Sequence, residues 1–147
     1  MKKSFASLEA PVVASVIRER TVKDAVMAIR NGEINGAHAF DLHLSCLEDE
    51  YKNEKSISEI VNCTEKPMLA LNYNQRYNWT YFETSEEERV NLLKIAANAG
   101  VSAVDLQGYT YHLPSKDNYM GDADFSFTKG NPKEIVTDDA IVEKQIK

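Results

Sequence analysis

The sequence predicts an α/β fold: about four parallel strands with flanking helices, arranged as part of a (β/α)8 barrel. Three observations lead there. Short apolar runs alternate with segments of helical period, in the order strand-helix three times over and then a strand. Each helical segment opens on a Ser or Thr followed three positions later by an acid, as in Thr21-x-x-Asp24, Ser56-x-x-Glu59 and Ser85-x-x-Glu88, the signature of a capping box. Polar side chains recur at every second position near the ends of the second and fourth strands, where an α/β sheet places its ligand site.

Residues 11–17 (PVVASVI) form a near-continuous apolar run, as expected of a strand buried on both faces. After the polar Arg18-Glu19-Arg20 turn, Val22, Ala25, Val26 and Ile29 repeat at helical spacing, and Gly32 and Gly36 bracket the helix end. Residues 37–44 (AHAFDLHL) read as the second strand, with Asp41, His43 and Ser45 alternating on one face and Phe40, Leu42 and Leu44 on the other. A charged loop follows, then a short helix containing Ile57, Ile60 and Val61. The third strand is expected at 67–73 (PMLALNY), and a loop rich in aromatic and amide groups at 74–82. The third helix carries Val90, Leu93, Ile95, Ala96 and Ala97 and stops at Gly100, and the fourth strand spans 103–110. Residues 1–10 read as an N-terminal extension, and residues 11–147 as the half-barrel domain. Within that domain 111–137 is a long loop, and 138–147 is a helix on which the sequence ends. That abrupt end favours the first half of a barrel, which typically takes about 250 residues, over a small open sheet.

With 147 residues and a net charge of -6, the chain is long enough for one real core and has no basic stripe for nucleic acid. No run reaches membrane-spanning length. Cys46 and Cys63 lack metal-type spacing, which fits a reduced, cytoplasmic protein. Phosphate loops, nucleophile elbows and zinc patterns are absent, so no cofactor is expected.

What chemistry the sequence offers lies at strand ends: Asp41, His43 and Ser45 on the second, Asn72, Asn74, Gln75 and Arg76 on and after the third, Asp105, Gln107 and Tyr109 on the fourth. His43 reads either as a barrel-mouth group or as a core histidine hydrogen-bonded to Asp41. His38, at the start of its strand, belongs to the stability face, and His112 reads as a solvated loop residue. Asp41, His43 and Asp105 also suit a divalent metal, as in sugar-isomerising barrels. Open strand edges would suit a non-catalytic half-barrel that assembles, including as a homodimer.

The succession PVVASVI, AFDLHLSCL, KPMLALNYNQR and AGVSAVDLQGYT resembles the N-terminal half of type I 3-dehydroquinate dehydratases, over about residues 11–110. The resemblance implies a (β/α)8 barrel that dehydrates 3-dehydroquinate to 3-dehydroshikimate in the shikimate pathway. A lysine forms an imine with the substrate ketone, and a histidine moves protons. The family's second strand carries Glu, Arg and Asp where this chain has Asp41, His43 and Ser45, and its histidine-orienting glutamate corresponds to Gln107. Tyr73 falls where the family uses an arginine on the substrate carboxylate, and Arg76 stands three residues on. The resemblance therefore implies Asp41, His43, Arg76 and Gln107 as substrate-side groups for a small cyclic keto acid. The family's histidine and imine lysine lie on later strands, so the chain is expected to be inactive alone.

Overall fold

The computed structural model describes residues 4–72 and 86–105, with Ala140 and Glu143. The chain divides into two compact units, Met1–Asp105 and Leu106–Lys147. In the second, Ala140 and Glu143 are helical, inside the segment expected to be a helix.

The first unit contains β1 (Ala14–Ile17), α1 (Val22–Ile34), β2 (Ala39–His43), α2 (Glu54–Asn62), β3 (Met68–Leu71), α3 (Glu86–Asn98) and β4 (Ala103–Asp105). The four strands form one sheet in the order β1-β2-β3-β4, and every pairing is parallel. The α/β alternation expected from the sequence is therefore present.

Alternation along the strands gives the sheet two unlike faces. Ile17, Phe40, Leu42, Met68 and Ala70 belong to a single core cluster with Ala25 and Ile29 of α1, Ile57, Ile60 and Val61 of α2, and Leu92, Leu93 and Ala96 of α3. α1 packs against α2, and α2 against α3. Ala14, Val16, Ala39, Asp41, His43, Leu69, Leu71, Ala103 and Asp105 take the opposite face by the same alternation, in matched register across the sheet.

Local chemistry sets the boundaries. Thr21 caps α1 by accepting from the Asp24 amide, as the spacing predicts. At the other end Gly36 adopts φ 85°, its N–H donates to the Glu33 carbonyl, and the Ala37 N–H donates to Gly32. That Schellman closure recurs after α3, where Gly100 has φ 94° and Val101 reaches back to Ala96. Gly32 lies within α1 rather than ending it. α2 starts earlier than expected: Asn53, not Ser56, is its N-cap, and its Oδ1 accepts from the Ser56 amide at 3.0 Å. The expected cap Ser85 of α3 lies outside the described residues. In that helix Leu92, Leu93, Ala96 and Ala99 are buried while Ala97 is exposed, a stripe rotated from the expected one.

The first strand departs most from expectation. It begins at Ala14 because Val13 is diverted: its N–H donates to His38 Nδ1 at 3.0 Å, and its carbonyl accepts from the His38 amide. His38 thus belongs to the stability end of the sheet, as expected. Nor is the run buried on both faces. Val12, Val13 and Val16 are 43%, 57% and 53% exposed, because β1 is an edge strand and only its helix-side residues enter the core.

Candidate functional site

β2 brings Asp41 and His43 to the face away from the helices, because Phe40 and Leu42 between them are committed to the core. In register, His43 stands beside Leu71, and Leu71 beside Asp105, so these groups share the C-terminal end of the sheet. Arg18 follows Ile17 just as His43 follows its ladder partner Leu42, which sets the guanidinium at the same end.

Ser45 does not join them. The strand stops at His43, and Leu44–Cys46 turns as a 3-10 helix in which the Leu47 amide donates to the Leu44 carbonyl. Burial of both Leu44 and Leu47 drives this turn, and it carries Ser45 out of the alternation.

His43 Nε2 and Asp41 Oδ2 lie 4.0 Å apart, too far for a direct hydrogen bond. The hydrogen-bonded core pair is thus not the arrangement found. Both side chains are partly accessible, at 14% and 23%, so a small ligand can reach them. Asp41 Oδ1 is buried and accepts no hydrogen bond among the described residues. Burial, and then the neighbouring Asp105 carboxylate, raise the Asp41 carboxyl above its ordinary range. Burial, and then the Arg18 guanidinium, push the His43 imidazole below its ordinary 6.5. The imidazole is consequently neutral at neutral pH and offers a lone pair rather than a charge.

The His43 shift has a consequence for stability. Its folded value lies below the unfolded one, so as pH falls the unfolded chain takes up the proton first. Stability is unaffected well above 6.5, declines from there as the pH drops, and levels off below the folded value. Urea titrations between pH 8 and pH 5, at roughly half-unit steps, should show this decline in the wild type and a flatter profile in His43→Asn.

Arg76 and Gln107 lie outside the described residues, as do Tyr73, Asn74, Gln75, Tyr109 and His112. Asn72 is buried at the end of β3 and committed to structure: its Nδ2 donates to the Arg89 carbonyl, and its own carbonyl accepts from Arg89 Nη1, both at 3.1 Å. Sequence reasoning singled out neither Arg18 nor Arg89. Arg18 had a readable signal as the first residue beyond a strand's C-terminal end. Arg89 had one too, since Arg89, Leu93 and Ala96 share one helix face.

Among the described residues no three His, Cys, Asp or Glu side chains gather into a metal-ligand group, so Asp41, His43 and Asp105 do not form the trio considered above. Among them, too, no helix is long and apolar enough to cross a membrane. Compared with protein-family models the chain matches none, and no curated protein matches it.

Proposed function

We propose that this chain is the N-terminal half of a (β/α)8 barrel resembling type I 3-dehydroquinate dehydratases, and that the sheet face carrying Asp41 and His43 lines the barrel interior. One observation carries the reading: a sequentially ordered parallel sheet has its core cluster on one face and its polar strand-end groups on the other. A doubly wound sheet would reverse strand order and cover both faces with helices. In a barrel the face away from the helices is interior, and its C-terminal end is the reaction mouth.

On this reading Asp41, His43, Arg76 and Gln107 bind a small cyclic keto acid. In such a lyase, a lysine amine attacks the substrate ketone and water leaves to give the imine. The imine draws off the electrons released when the adjacent C–H proton is removed, and hydroxide departs with a proton from the general acid. The described strands contain no lysine, so the imine must come from elsewhere in the barrel. Gln107 stands where the family has a carboxylate and cannot hold an imidazolium as an anion would.

The test has two stages. 3-Dehydroquinate should shift the NMR resonances of Asp41 and His43 in the chain as it stands, and borohydride should trap no adduct. Joined to the lysine-bearing half of a type I dehydratase, the protein should yield a trapped adduct by mass spectrometry. Failure of the first stage together with the second defeats the reading.

The non-catalytic assembly reading, including a homodimer, draws on the exposed Val12, Val13 and Val16 of the β1 edge. A concentration-dependent dimer in sedimentation that binds no keto acid would favour it instead.

A further inference from the structure

We propose that Arg18 is the specificity-determining residue of this site and binds the carboxylate of a small polyhydroxy acid beside His43; this rests on the barrel-mouth reading above. The resemblance supplies no such group. It leaves Tyr73 where an arginine would hold the carboxylate, so the anion needs another cation.

Arg18 fulfils the geometric requirement. It follows β1 directly, one residue beyond the Ile17–Leu42 ladder pair, as His43 does on β2. It is exposed, whereas His43 is largely enclosed, so it stands on the outer rim and the imidazole deeper. Its charge reaches the imidazole and helps to hold it neutral. The other groups around His43 are Asp41 on its own strand, apolar Leu71 on β3, and Asp105 beyond Leu71 on β4. With His43 neutral, Arg18, Asp41 and Asp105 together leave the strand ends with one excess negative charge, from one cation and two carboxylates. An incoming carboxylate is therefore accepted only against the guanidinium, whose forked donors match it.

The two events are linked. A carboxylate bound to Arg18 cancels the charge that suppresses His43 and adds an anion nearby, so binding raises the His43 midpoint. By reciprocity, acidification through that midpoint strengthens binding.

The probe is a cyclic polyhydroxy carboxylate, with its methyl ester and acetate as controls, followed through the pH titration of the His43 Cε1–H resonance. The carboxylate should raise the His43 midpoint in the wild type, and the ester should not. Arg18→Gln should begin with a raised midpoint, show no further rise, and bind the carboxylate about tenfold more weakly. Arg18→Lys keeps the charge without the fork, and should keep the low midpoint while binding more weakly than the wild type. Because Arg18 is exposed, these variants should fold, which circular dichroism checks. If acetate works as well as the ring acid, the Arg18 site stands and the dehydratase reading loses its support. If the ester matches the acid, if Arg18→Gln responds like the wild type, or if no carboxylate moves His43, the Arg18 assignment is overturned.

Discussion

Arg89→Ala should lower the unfolding free energy by about 3 kcal/mol, among the largest effects of any single substitution in the chain. Arg89 is only 1% exposed and is the bulkiest of the fully buried side chains. Truncation removes the donor to the Asn72 carbonyl, leaves that carbonyl buried, and opens a cavity at the start of α3. The Asn72 amide still reaches the Arg89 carbonyl, because that bond uses backbone at position 89. Arg89→Met separates the two contributions: it keeps much of the volume and forfeits the hydrogen bonds, and should cost about 1–2 kcal/mol. Urea denaturation monitored by far-UV circular dichroism checks both, and an unchanged m-value assigns the loss to the native state. Equal losses for Ala and Met would show that packing of the aliphatic stem contributes nothing.

Phe40→Ala should cost about 4 kcal/mol. The ring has no exposed surface and stands on the helix side of β2, in the core cluster. Its position also explains Gly32. A Cβ at residue 32 would lie 2.7 Å from Phe40 Cε1 and 3.4 Å from Ser15 Cβ. In an exposed helix, Gly→Ala would gain about 1 kcal/mol. Here the ring is enclosed and cannot withdraw, so Gly32→Ala should instead destabilise by about 1–2 kcal/mol through overpacking. Combined with Phe40→Leu, which vacates the ring edge, Gly32→Ala should become neutral or stabilising. The resulting non-additivity is measurable in a double-mutant cycle by urea denaturation. Additive losses would place the clash elsewhere.

Glycine 32 shows how far local pattern reaches. Read along the chain, a glycine near a helix end signals termination. Only the neighbouring strand reveals that the helix continues through it and that the missing side chain makes room for a ring. Ser45 shows the same limit: strict alternation puts it with Asp41 and His43, whereas burial of Leu44 and Leu47 turns the chain first. Asn53 displaces Ser56 as a cap because two capping residues three positions apart compete, and the spacing alone does not rank them.

The sequence by itself determined the order of strands and helices, the cap at Thr21, the glycine stops at Gly36 and Gly100, the buried residues of α1 and α2, and the shared face of Asp41 and His43. Each follows from interactions within a few residues, where dihedral preference and side-chain period act directly. The tertiary structure decided which face of β1 stays open, what Gly32 accommodates, how Arg89 locks the end of β3, and that Arg18 stands beside His43. Those depend on strand register and on the meeting of segments distant along the chain. Pairing energies across the sheet set them, and the periodicity of a single segment carries no record of its partner.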